Sequence, residues 1–349
     1  MIYVKIFLGI VLSLLLWACD NNVMPIGADA HVSLSLLFKQ SALPIYHEVI
    51  YHADGTTETR SGQSAGIETS QYKLRYIVNC FRADNKGEFP MSPFATFHYT
   101  NSNREQLDYH CSMTLPTGTY SIKVWADYVA PNRDEDGFYD TSSFFDIALT
   151  GSANDYEGST DLRQAFIGET ALEVPPRYHT DTPLTVEAKM EMTRPLARYK
   201  FVTTDKKEFI EKNLGTTVPK ETATAFLSQH RILIRYTGFF PNRFNMFTDK
   251  PIDAALGYHF MSTMSELDDD SEATLGFDYV FVGDYSSTVS VAVDIYRIDG
   301  TLLSSSKPIE VPLLRNRQTV VKGRFLTTNP SGRILINEEY DGSYSVFVN

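Results

Sequence analysis

A two-residue hydrophobic period is the feature that most constrains what this chain can fold into. Val32, Leu34, Leu36 and Phe38 alternate with His31, Ser33, Ser35 and Lys39. Tyr120, Ile122, Val124, Ala126 and Tyr128 alternate with Thr119, Ser121, Lys123, Trp125 and Asp127. The same spacing returns in Leu184, Val186, Ala188, Met190 and Met192, and again in Val289, Val291, Val293 and Ile295. Successive side chains of a strand point to opposite faces, so this pattern gives each segment one apolar face and one polar face. A helix would need a period near 3.6, which these segments lack.

Turn residues fall where such strands must reverse. Asp299-Gly300 and Asp341-Gly342 tolerate the positive φ angles of tight hairpins, and Pro116 with Gly118 marks another reversal. One helix is expected: Asp205-Lys206-Lys207-Glu208 opens like a capping box, and Gly215 ends it. Short strands, frequent turns and few helices predict an all-β chain with one sandwich in residues 31–192 and a second in residues 193–349. Arg194-Pro195 falls near the seam, and no long linker separates the halves, which are expected to pack end to end with limited hinge freedom.

The N-terminus obeys different rules. Lys5 precedes an apolar run from Ile6 to Ala18, and Cys19 follows. That run has the length of a signal-peptide core and falls short of the roughly 20 apolar residues of a membrane-spanning helix. Leu16-Trp17-Ala18-Cys19 resembles the lipobox of bacterial lipoproteins, with Trp17 where a small residue is usual. The resemblance implies removal of residues 1–18 and a lipid on Cys19. Residues 19–30, polar and carrying Pro25 and Gly27, then read as a tether to a membrane. The competing reading is a buried cysteine after a hydrophobic helix.

Charge excludes one class of partner. Net charge is −12, and removal of the leader takes away only Lys5, leaving −13. Nucleic-acid binding rests on clustered Lys and Arg, and no basic stripe occurs. Cys80 and Cys111 sit in strand-like runs, where two small core residues and a disulfide permitted by an oxidising compartment are both open. No cysteine cluster with metal-binding spacing is present.

Four motifs invite chemistry and decline it on inspection. Gly62-Gln63-Ser64-Ala65-Gly66 matches a nucleophile elbow, but that turn must join a strand to a helix in an α/β setting, and a Gly/Ser loop is the reading preferred. His47 to His52 misses the first-and-fifth spacing of a zinc-protease helix, because Tyr51 takes the fifth position. Asn132-Arg133-Asp134-Glu135-Asp136-Gly137 imitates a calcium loop, yet its twelfth position is Ser143 rather than a bidentate Glu. Asp268-Asp269-Asp270 reads as a solvated acidic loop. No catalytic residue, metal or cofactor is assigned, and the chain is not expected to be an enzyme.

Met192-Thr193-Arg194-Pro195-Leu196-Ala197-Arg198-Tyr199-Lys200-Phe201 resembles the segment that opens the second domain of fimbrillin-like lipoproteins of the Bacteroidetes. Over nearly its whole mature length the chain is similar to an uncharacterised family of Bacteroides-type lipoproteins. The stretches that carry this likeness are 115–128, 244–248, 275–282 and the Asp341-Gly342 turn. The fimbrillin resemblance implies two Ig- or transthyretin-like sandwiches, an outer-membrane or cell-surface location, and a structural or adhesive role as a fimbrial subunit, anchor or tip. It also implies self-association or other fimbrial subunits as partners, and processing after a basic residue, for which Arg60 in the polar loop 52–70 is the candidate. The alternative is a monomeric surface module that binds glycans or host proteins. Trp125, on the polar face of its strand, is then the candidate for stacking on a sugar, although such a residue can equally cover a neighbouring strand or the domain junction.

Overall fold

The computed structural model describes residues 29–38, 45–51, 57–63, 72–101, 107–131, 135–176, 184–266, 270–283, 287–327 and 345–348. The two-residue period becomes strand. In β1 (Ala30–Phe38), Ala30, Val32, Leu34 and Leu36 are fully buried, while His31 and Leu37 face out. A hairpin of β2 (Ile45–Tyr51) and β3 (Thr57–Gln63) follows. Next come β4 (Lys73–Arg82), β5 (Ala95–Asn101), β6 (Tyr109–Leu115) and β7 (Gly118–Val129). The first half closes with the short β8 (Tyr139–Asp140) and β9 (Ile147–Leu149), a single 3-10 turn over Asp161–Arg163, β10 (Ala165–Val174) and β11 (Thr185–Met192).

These strands build two layers. The outer sheet has the order β11-β1-β6, with β1 parallel to β11 and antiparallel to β6. The inner sheet, β10-β7-β4-β5, is antiparallel throughout. Between them lies a core that includes Val32, Leu34, Leu36, Tyr76, Val78, Ile122 and Val124. Gly168 on β10 lets the layers close: a Cβ there would come within 2.6 Å of the sulfurs of Met190 and Met192.

The second half repeats the scheme. β12 (Leu196–Thr203) leads to α1 (Lys206–Leu214) and α2 (Lys220–Leu227), then β13 (His230–Tyr236), β14 (Phe240–Asn245), β15 (Lys250–Ala255) and β16 (His259–Ser262). β17 (Ser265–Glu266), β18 (Ala273–Phe281), β19 (Ser287–Arg297), β20 (Leu302–Ser305), β21 (Ile309–Leu313), β22 (Gln318–Gly323) and β23 (Ser345–Val348) complete it. One sheet has the order β17-β18-β12-β22-β23, with β22 parallel to both β12 and β23. The other runs β16-β13-β19-β20, and β21 pairs the opposite end of β19. Phe201, Ile232, Ile234, Leu275, Val291 and Val293 are among the residues that fill the space between.

A fifth sheet takes strands from both halves: β8 and β9 of the first join β14 and β15 of the second. The chain passes from Met192 at the end of β11 to Leu196 at the start of β12, so the covalent connection is short.

Local expectations meet local outcomes. Helix α1 starts after Asp205 and ends at Gly215, whose φ of 98° suits glycine. Asp205 does not cap it with its side chain. Its carboxylate instead accepts from Thr203 Oγ1 and from the backbone amides of Leu326 and Thr327, stitching the helix start to the strand end below. Helix α2 was not expected, because its threonines mask the pattern. It stands because Phe226 packs 5.4 Å from the Phe209 ring of α1 and Leu227 is buried. The Asp299-Gly300 hairpin forms between β19 and β20, with Gly300 at φ 88°. Residues 334–344 of the second expected hairpin lie outside the described residues, and β23 joins its sheet parallel to β22.

Cys80 and Cys111 are both free, buried thiols of the first core, and Cys80 Sγ lies 3.8 Å from Met113 Sδ. Burial pushes each thiol up to about 12 from its ordinary 9.0. A raised folded-state value means the contribution to stability is present below pH 9.0 and is lost as pH rises toward about 12. Alkylation of the native chain by iodoacetamide is therefore expected to stay slow up to pH 9.0 and to accelerate only on unfolding, as mass spectrometry of the labelled protein will report.

Candidate functional site

The two halves meet at a third core. Ile77, Trp125 and Ile167 project from the inner sheet of the first half toward Leu196, Tyr279 and Phe281 of the second. Tyr139, Phe144 and Ile147 from the β8–β9 segment, with Phe244 from β14, fill the remaining space. The central strands of the inner sheet are thereby covered on both faces. Leu74 to Phe81 of β4 are buried in an unbroken run, as are Ile122 to Val129 of β7.

That cover corrects the reading of Trp125. Its side chain is fully buried, with its ring 5.2 Å from that of Tyr139, so it cannot stack on a bound sugar. The alternation that seemed to mark a wet face in β7 marks the junction face instead. Apolar contact, rather than water, lies on that side.

Charges are buried beside this core. Arg163, at the end of the 3-10 turn, carries its guanidinium 4.2 Å from the Tyr156 ring centroid and its Nε 3.7 Å from Asp278 Oδ1. Asp278 is 1% exposed and Arg163 2%. Asp278 Oδ2 accepts from Tyr156 Oη at 2.7 Å and Tyr236 Oη at 2.5 Å, while Tyr199 donates to Tyr236 at 2.8 Å. Burial pushes the Asp278 carboxyl up, and Arg163 with the two phenols draws it back. The same burial holds Tyr156, Tyr199 and Tyr236 well above their ordinary 10.0. Tyr279 donates to Asp161 at 2.5 Å, and Arg194 reaches both Gln164 and Asn316. Residues 156–164 of the first half are thus clamped into the second.

A surface cleft of about 570 Å³ opens on the outer side of β4 and β5. Arg75, Asn79, His98, Ser142 and Ser143 line it, and Met91, 72% exposed, stands at its rim. Arg75 offers no spare charge for an anionic ligand. It grips Asp127 through two bonds of 2.9 and 2.8 Å and Asp136 through a third of 2.9 Å. Hydroxyl, amide and imidazole groups and the Glu135 carboxylate remain, which suit a polar ligand without negative charge.

Arg75 also settles the calcium-like loop. Asp136 accepts from Arg75 and from the amide and hydroxyl of Thr141, so its oxygens serve the fold. Residues 132–134 and Asp268-Asp269 lie outside the described residues, and Asp270 is exposed. Among the described residues, no group of three or more His, Cys, Asp or Glu could hold a metal ion. Arg60 was expected in a loop and stands instead in β3, opposite Glu48 of β2, in the ladder of a hairpin. Ser64 and Gly66 of the elbow-like motif lie outside the described residues, as do Cys19 and the leader. His47 is in β2, a strand and not a helix.

Two pairs escaped the sequence reading. Ser35 Oγ lies 3.1 Å from His110 Nδ1, and Ser112 Oγ lies 2.8 Å from His31 Nε2, on the exposed face where β1 meets β6. Only the strand register brings them together. On a flat sheet face they bridge neighbouring strands, as cross-strand polar pairs do.

The model of a family of unknown function, DUF6562, matches residues 40–347. No curated protein matches the chain. Among solved structures, the fimbrial anchor protein Mfa2 from Porphyromonas gingivalis is similar at 9% identity and a TM-score of 0.36, covering 79% of this chain and 82% of its own. A fimbrial assembly protein from Parabacteroides distasonis is similar at 12% identity and a TM-score of 0.36, covering 84% and 90%. A candidate cell adhesion protein from Bacteroides ovatus shares 10% identity at a TM-score of 0.40, covering 82% and 89%.

Trp125→Ala is expected to cost about 3–5 kcal/mol of stability by emptying the junction core, measured by urea denaturation. Arg163→Met, which strands a buried carboxylate, is expected to cost about 3–5 kcal/mol. In the same assay the pair Arg163→Met with Asp278→Leu should cost less than the two single changes summed, giving the coupling directly.

Proposed function

We propose a structural or adhesive role at the cell surface for this chain, which belongs to DUF6562, a family of unknown function. The observation that carries the reading is the place of β1. It is the first strand after the expected tether, and it lies in the middle of its sheet, laddered to β11 on one side and β6 on the other. A chain held by its N-terminus would therefore be attached through a strand laddered on both sides. In this reading residues 1–18 are removed, Cys19 carries the lipid, and residues 19–30 span from the outer membrane to the fold. The rigid junction supports it further, because a spacer or subunit must hold its two halves in fixed register.

The partners in this reading are the membrane, through the lipid, and other subunits. A polymerising form would need β1 removed, and cleavage after Arg60 would do that. The gap left between β6 and β11 would expose ladder groups and an apolar slot that a donated strand could fill. Because Arg60 is paired within the β2–β3 hairpin, that hairpin must open before a protease can take the bond. A second reading, a binding module for a glycan or host protein, is favoured by the cleft beside β4 and β5, with Asn79, His98 and Ser142 as its polar groups.

Mass spectrometry of protein extracted from native membranes tests the main reading. The expected product begins at an acylated Cys19. A product that keeps Met1, or one that begins at Cys19 without acyl mass, would overturn surface tethering. A product beginning at Ser61 would identify the polymerising form.

A further inference from the structure

We propose that this chain is a load-bearing link, in which both sandwiches resist tension in shear along parallel strands. The proposal rests on the tethered surface reading and adds a mechanical function to it. β1 and β11 run parallel in register from His31 opposite Thr185 to Phe38 opposite Met192. The tether enters at the Ala30 end of this pair. The chain leaves for the second half at the other end, through Met192. A pull between the anchor and anything held by the second half is therefore directed along the strands. Neither strand can peel from the other. They must slide, and sliding strains every bond of the ladder at once.

The surroundings of β1 raise the resistance. On its other side β6 adds a second ladder, from Ala30 opposite Leu115 to Leu36 opposite Tyr109. Ala30, Val32, Leu34 and Leu36 are fully buried, so sliding drags four apolar side chains through a packed core. The second half repeats the geometry. Tension entering β12 at Leu196 meets β22, parallel from Arg198 opposite Gln318 to Thr203 opposite Gly323, and β23 continues the parallel order. Load that leaves by the C-terminal ends of β22 or β23 shears these ladders too.

The connection between the halves does not bear the load alone. Arg194, between β11 and β12, bonds Gln164 of the first half and Asn316 just before β22. Arg315 donates to the Arg194 carbonyl at 2.8 Å and forks onto Asp249 at 2.5 and 2.8 Å. Tension reaching Met192 is thereby shared with β10, β22 and the turn that follows β14.

Single-molecule force spectroscopy tests the inference on the purified chain from Asp20 to Asn349. One handle stays at Asp20. The second is placed at Asn349, which loads the parallel ladders in shear, or at Thr117, beside the Leu115 end of β6, which peels β1 from its neighbour one bond at a time. If a handle at Thr117 prevents folding, Lys86, in the exposed turn between β4 and β5, supplies the peeling direction. The expected result is a clearly higher first rupture force with the Asn349 handle at matched loading rate. Forced unfolding reads the barrier rather than the equilibrium stability, so direction matters even though the protein is the same. Equal forces in the two directions, or a lower force with the Asn349 handle, would overturn the proposal. The measurement needs no lipid. An unlipidated native N-terminus would therefore remove the tether reading while leaving the mechanical result to stand or fall separately.

Discussion

A buried ion pair between Arg163 and Asp278 is the constraint around which the two halves are arranged. Taking a carboxylate and a guanidinium out of water costs several kcal/mol per ion, and the loss is recovered only when geometry and hydrogen bonds are good. Here tyrosine hydroxyls serve the carboxylate, whereas the guanidinium bonds only through Nη1, to the Glu157 carbonyl at 3.2 Å, and its Nε and Nη2 have no hydrogen-bond partner among the described residues. Tyr156 and Tyr236 donate to the carboxylate, Tyr199 extends the chain, and the Tyr156 ring faces the guanidinium. Apolar contact alone would let the halves slide over one another. A directional cluster with partners from β12, β13, β18 and the 3-10 turn fixes one arrangement, at a cost in stability that a purely apolar junction would avoid.

That fixed arrangement explains why β4 and β7, the central strands of the first half's inner sheet, have no wet face. Once residues 156–164 are docked, the β8–β9 segment is drawn across Trp125 and joins β14 to make a sheet that belongs to neither half alone. Arg75, Asp127 and Asp136 then secure the loop that leads into β8. Electrostatic pairs thus stand at the margins of an apolar junction, and the apolar residues supply its bulk.

Much of the fold was legible in the sequence because strands with one buried face write themselves as alternation. β1 and β19 show this directly: Val32, Leu34 and Leu36, then Val289, Val291, Val293 and Ile295, are all buried as the period requires. The Asp299-Gly300 turn and the limits of α1 were legible for equally local reasons. Trp125 was misread because alternation reports which side chains share a face, not what covers that face. Lys123 and Asp127, its polar neighbours on β7, are also buried, one paired with Glu169 and the other with Arg75. Arg60 was misplaced because Thr57 to Gln63 has almost no apolar content, so its strand is set by pairing with β2 rather than by a hydrophobic face. The junction cluster was invisible for a different reason. Arg163 and Asp278 lie far apart in sequence, and each looks like an ordinary surface charge until the fold brings them together.

The mixed sheet has a consequence for how the chain acquires its structure. β9 cannot find β14 until the second half exists, and the cover that Tyr139 gives Trp125 is incomplete until β18 and β14 arrive. Pairings between segments so distant in sequence raise the mean separation of contacts, which slows folding. As the ribosome delivers the N-terminal portion first, that portion waits with one greasy surface bare. Such a delay makes completion of the last strands the event that commits the whole molecule to its final form.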